Sequence, residues 1–92
     1  MIVSFRHKGL KELFASGRSA KIAAHLKARC LRILDALDQA SKPADMNVPG
    51  YDFHALHGFT PTRYTVHVNG PWCVTFEFED DDAARVDFEQ YH

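Results

Sequence analysis

Arg63-Tyr64-Thr65-Val66-His67-Val68-Asn69-Gly70-Pro71-Trp72-Cys73-Val74-Thr75-Phe76-Glu77-Phe78 is the stretch that decides the fold. Side chains alternate across a strand, so Tyr64, Val66 and Val68 share one face while Arg63, Thr65 and His67 share the other. Asn69-Gly70 is a strong hairpin-turn signal, and Pro71 opens the next strand rather than interrupting one. Trp72, Val74, Phe76 and Phe78 then line one face, with Cys73, Thr75 and Glu77 on the other. Asp80-Asp81-Asp82 makes a further turn, after which Ala84, Val86 and Phe88 return on the apolar face. The second face collects Arg63, Thr65, His67, Cys73, Thr75, Arg85, Asp87 and Glu89. It is expected to be polar, exposed and made concave by sheet twist, and a functional site belongs there.

Upstream, Ile2-Val3-Ser4-Phe5 reads as a short strand. Lys8 to Ser16 carries Leu10, Leu13 and Phe14 at helical spacing, with Gly17 as the stop. Ser19 is expected to cap a longer helix reaching about Ala40, whose apolar stripe is Ile22, Leu26, Cys30, Ile33, Leu34 and Leu37. Pro43 ends it, Asp45 to Gly50 is a turn-rich connector, and Asp52 to Leu56 is a further short strand. The expected order is β-α-α-β-β-β-β. This is an α+β domain with two N-terminal helices packed on one face of a mostly antiparallel twisted sheet.

Ninety-two residues make one domain, 1–92. At 46% hydrophobic and 12% aromatic the chain can bury a modest core without disulfides or metals. Cys30 and Cys73 have no metal-ligand or redox spacing and read as reduced thiols, so a cytoplasmic protein is expected. The opening is too short and too soon charged for a signal peptide, and no apolar run could span a membrane. The net charge of −1 conceals a split. Residues 1–45 hold nine Lys/Arg against four Asp/Glu, whereas residues 46–92 hold two against eight. Such a division suits one anionic and one basic partner, although solvated helix faces would produce the basic half equally well.

No nucleophile–base arrangement or phosphate-binding glycine loop is visible. The six histidines match no zinc spacing, so neither metal nor cofactor is expected. What remains is a metal-free acid–base set: His54, His57, Tyr91 and His92. Imidazole titrates near ~6.5, so such groups exchange protons at neutral pH. RNA cleavage needs one group to take the 2′-hydroxyl proton and another to protonate the leaving 5′-oxygen. Cations stabilise the charged phosphorane between these steps, and a ring such as Tyr91 can stack on a splayed base.

The chain resembles the HigB toxins of bacterial type II toxin–antitoxin systems, within the RelE/ParE superfamily. The resemblance runs end to end. It is carried by Ile2-Val3-Ser4-Phe5-Arg6-His7-Lys8-Gly9-Leu10-Lys11, by Leu13-Phe14 and by Arg32-Ile33-Leu34-Asp35-Ala36-Leu37-Asp38. Further on it rests on His54-x-Leu56-x-Gly58, Val68-Asn69-Gly70-x-Trp72, Thr75-Phe76 and the terminal Tyr91-His92. It implies a RelE-like, microbial-RNase-like fold and a ribosome-dependent endoribonuclease that cuts messenger RNA during translation. It also implies silencing by a HigA-like helix-turn-helix antitoxin. The terminal Tyr-His fits this ribonuclease branch better than the gyrase-poisoning ParE branch.

The family site implied by the resemblance is only partly kept. His54, Tyr91 and His92 match it. His57 stands where a lysine is usual, Cys73 where an arginine is usual, and Gln90 where an aspartate is usual. His57 can still carry charge, but Gln90 cannot act as a base, and a Cys73 thiol has neither fixed charge nor forked donors. Loss of one transition-state donor typically slows catalysis by ~10²–10³-fold. The expectation is an attenuated ribonuclease, with Arg6, Lys8, Arg63 and Arg85 as RNA- or ribosome-binding cations. The alternative is an inactive family member that acts only by binding its antitoxin.

Overall fold

The structure, a computed structural model, describes residues 1–90; Tyr91 and His92 lie outside the described residues. Helix α1 spans Lys8–Ser16 and closes on Gly17, whose φ of 75° no side-chain-bearing residue adopts cheaply. Helix α2 spans Lys27–Gln39. Strands β1 (His54–Leu56), β2 (Arg63–Asn69), β3 (Trp72–Glu79) and β4 (Asp82–Gln90) form one antiparallel sheet in sequence order. Two helices and a four-stranded antiparallel sheet make this the expected α+β class.

Four details differ from the sequence reading. Ile2–Phe5 is not a strand of the sheet: it meets β4 at two isolated parallel bridges, Ile2 to Ala83 and Phe5 to Val86. The ladder breaks there because β4 carries a bulge, with Arg85 at a φ of +48°. The Arg85 N–H is satisfied instead by the Ser4 hydroxyl at 2.8 Å. Secondly, Ser19 caps no long helix. Its hydroxyl accepts from the Lys21 N–H and donates to Glu12, a local bond that competes with helix formation. A single 3₁₀ turn, Ala24–Leu26, precedes α2.

Thirdly, the strand expected from Asp52 begins only at His54, because Asp52 has a left-handed φ of 48°. Finally, Asn69 pairs with Trp72, so Gly70 and Pro71 are the two turn residues rather than Asn69 and Gly70.

The core is close to the expected one. Leu10, Leu13, Ile22, Leu26, Cys30, Ile33, Leu34 and Leu37 join Val66, Val68, Val74, Phe76, Val86 and Phe88 in a single cluster. One position changes sides. The bulge adds a residue to β4, so Ala83 rather than Ala84 faces this core, and Ala84 lies opposite Glu77. Burial raises the Cys30 thiol to about 11, in keeping with an inert core side chain. No helix among the described residues is long and apolar enough to cross a membrane.

Candidate active site

The register builds the polar face from cross-strand rows. His54, Thr65, Thr75 and Asp87 form one row across all four strands. His67, Cys73 and Glu89 form the next. Arg63 lies opposite Leu56, and Glu77 opposite Ala84. Residues paired across antiparallel strands point to the same side of the sheet, so these side chains share one surface.

That surface is less open than its composition suggests. Arg63, Thr65, Thr75 and Glu77 are all buried, and Arg63 bonds to both Thr75 and Glu77. Arg63 donates from Nη1 to Glu77 Oε2 at 3.0 Å. Its Nη2 donates to Thr75 Oγ1 and to the Arg85 carbonyl, each at 3.0 Å. Arg85 donates to Glu77 Oε1 and, at 2.9 Å, to Glu79 Oε1. Thr75 in turn donates to Glu89. Burial alone would raise the Glu77 carboxyl, but the guanidiniums of Arg85 and Arg63 outweigh it and hold the group below the ordinary range. The same contacts with Glu77 and Glu79 raise Arg85.

Arg63 is therefore not an open cation, and Arg85, although half exposed, is paired with two carboxylates. Arg63 is buried and committed to three partners, and two carboxylates balance the pair's charge. Sequence alternation placed both on the right face, yet it gave no sign that Glu77 and Glu79 would neutralise them. Thr65 differs again. Its hydroxyl is buried beside His54 in the row and finds no partner among the described residues.

The other expected site residues fall in separate places. His54 is exposed on the edge strand β1, and its Nδ1 lies 2.9 Å from the Asp52 carbonyl. His57 is exposed in the turn that follows. Cys73 is buried on the polar face, its Sγ 3.9 Å from the Pro71 carbonyl. Gln90 pairs with Trp72, on the side of the sheet where Trp72 stacks against Phe88 at 4.6 Å. It is thus turned away from His54 and Cys73. Tyr91 and His92 are outside the described residues.

Arg6 and Lys8 also lie elsewhere. With Phe5, Lys11, Glu12 and Ala15 they line a cleft of about 510 Å³ beside α1. Of the remaining polar-face groups, the His67 ring Nε2 sits 2.9 Å from the Gly70 carbonyl, within its own hairpin. Among the described residues, no three His, Cys, Asp or Glu side chains gather as a metal site.

Comparison with known proteins agrees with this architecture. Residues 3–92 match the profile of the HigB-like toxin family, described as the RelE-like toxin of the type II toxin–antitoxin system HigB. The chain is 36% identical to the Endoribonuclease HigB of Proteus vulgaris over 92 residues, covering the whole of both proteins. A full-length relative at this identity and a family match across nearly every residue lead to one conclusion: the chain belongs to the HigB-like family of type II toxin–antitoxin toxins.

Proposed function

We propose that this protein is a toxin that inhibits translation by cutting messenger RNA on the ribosome, without a metal ion, and that a HigA-like helix-turn-helix antitoxin restrains it. The observation that carries this reading is the full-length similarity to a protein named an endoribonuclease. The polar sheet face, with His54 exposed at its edge, supports it. His54 and His92 exchange protons during transphosphorylation. The 2′-oxygen attacks phosphorus after losing its proton, and the 5′-oxygen leaves with a proton. Tyr91 orients or stacks on the base, and His57 supplies positive charge.

Cleavage by this chain is weak in the same reading. Cys73 offers no cation, Gln90 is an amide on the opposite side of the sheet, and Arg63 and Arg85 are already neutralised. These observations also favour a second reading, a protein that keeps the antitoxin contact but not the nuclease.

Purified protein added to translating ribosomes, with cut sites mapped on the message, separates the two. Cuts that disappear in His54→Ala and increase in Cys73→Arg with Gln90→Asp support the nuclease. No cutting by the natural chain and none by the double variant leaves the binding reading.

A further inference from the structure

Among the described residues, Glu89 is the carboxylate on the polar face whose chemistry remains unused. A proton acceptor needs a carboxylate whose charge is not already answered by a fixed cation. Glu77 fails that requirement, lying between Arg63 and Arg85, and Glu79 is tied to Arg85. Asp87 turns back to accept the N–H of Phe88 at 2.9 Å. The contact of Glu89 among the described residues is with a neutral hydroxyl, that of Thr75.

The orientation of that hydroxyl is set from beneath. Arg63 Nη2 donates to Thr75 Oγ1, so the oxygen's own hydrogen is left to point at Glu89 Oε2. Thr75 is fully buried and Arg63 nearly so, which gives this chain of bonds a rigid base. Glu89 itself is half-buried, on the same side of the sheet as His54 and directly across from Cys73. Its neighbour Gln90 faces the other side and, being an amide, takes no proton.

We propose that Glu89 is the proton acceptor of the ribonuclease reaction, with Thr75 and Arg63 as positioning residues that hold its carboxylate. This rests on the nuclease reading above and revises one half of its proton exchange: Glu89 takes the acceptor role given there to an imidazole, and an imidazole keeps the donor role. The Glu89 carboxylate takes the 2′-hydroxyl proton as the 2′-oxygen forms its bond to phosphorus. The bond from phosphorus to the 5′-oxygen breaks, and that oxygen receives a proton from an imidazolium. The products are a 2′,3′-cyclic phosphate and a 5′-hydroxyl, with one proton gained by the carboxylate and one lost by the imidazole. Oε2 stays bonded to Thr75, and Oε1 accepts.

The test is single-turnover cleavage of a message on stalled ribosomes, followed from about pH 4 to pH 8 across the carboxylate and imidazole ranges. It compares the natural chain with Glu89→Gln, Asp87→Asn, Thr75→Ser and Thr75→Val. Glu89→Gln keeps an acceptor for Thr75 and should slow cleavage by ~10²–10⁴-fold. It should also abolish the acidic limb of the profile without changing ribosome binding. Thr75→Ser should stay close to the natural chain, whereas Thr75→Val should shift that limb and lose part of the rate. Asp87→Asn should keep the limb.

Glu89→Gln at the natural rate with an unchanged profile would overturn the assignment and leave the nuclease reading standing. Loss of the limb in Asp87→Asn instead would do the same. No cutting by the natural chain, and none gained by Cys73→Arg with Gln90→Asp, overturns both. Should Glu89→Gln fail to fold, the contrast between Thr75→Ser and Thr75→Val decides, and equal profiles for those two would reject the proposal.

Discussion

Arg63 and Glu77 form an ion pair within the polar face, with Nη1 3.0 Å from Oε2 and side chains only 3% and 4% exposed. A surface ion pair contributes little, but a buried charge that loses its partner is costly. Arg63→Ala should therefore destabilise the protein by about 3 kcal/mol, since Arg85 still reaches Glu77. Arg85 is half exposed, and Arg85→Ala should cost about 1 kcal/mol or less. Urea unfolding of the three proteins checks the ranking. Equal losses would mean that the two arginines support the sheet alike.

The same pair sets an acid dependence. The Glu77 carboxyl is held below the ordinary range in the folded chain, so the unfolded chain binds its proton first as pH falls. Its stabilisation is complete at neutral pH, above the unfolded value near ~4.3, and drains away as pH drops through the lower folded-state value. Urea midpoints measured between neutrality and strong acid should fall in that region. Glu77→Gln should start lower and flatten the descent; an unchanged slope would show that other carboxylates govern it.

Thr65 gives the opposite sign. Its buried hydroxyl has no partner among the described residues, and an unpaired buried polar group costs stability. Thr65→Val keeps the shape and β-branching while removing that group, so it should raise stability by about 1 kcal/mol. A lower melting temperature in the variant would reveal a bond made by this hydroxyl.

Gly9 offers a test of packing. In most helices Gly→Ala gains up to about 1 kcal/mol. Here an added Cβ would stand 2.7 Å from the Lys21 Cβ and 2.8 Å from the His7 Cε1. His7 caps α1, with its Nδ1 accepting from the Leu10 N–H at 3.1 Å, so its ring is not free to swing aside. Gly9→Ala should lose about 1–3 kcal/mol through overpacking. A thermal melt that rises instead would show that the loop at Lys21 yields.

Much of the fold was legible because its periodicities are strong. Leu10 and Leu13, the stripe from Ile22 to Leu37, and the alternation through Val66, Val74 and Phe76 all reached the core as read. The pattern fails where one residue's backbone overrides it. Arg85, at a positive φ, turned Ala84 away from the core and let Ala83 in, and Asp52 shortened β1. A left-handed non-glycine residue has only a weak sequence signature, so neither departure could be read in advance.

The candidate site was legible as a face but not as a set of interactions. Period-two alternation is a local property of the chain, and it correctly grouped Arg63, Thr65, Thr75 and Glu89 on one side. Whether a cation on that face is free depends on which carboxylate lies across the strand. Only register decides this, through the turn at Gly70-Pro71 and the bulge at Arg85. Residue order and periodicity therefore carry the family, the α+β class and the polar side of the sheet. Tertiary structure decided that Glu77 and Glu79 consume Arg63 and Arg85, that Gln90 faces away, and that Thr75 is left holding Glu89. Pairings between residues distant in sequence are made by strand register, and no spacing along the chain encodes them directly.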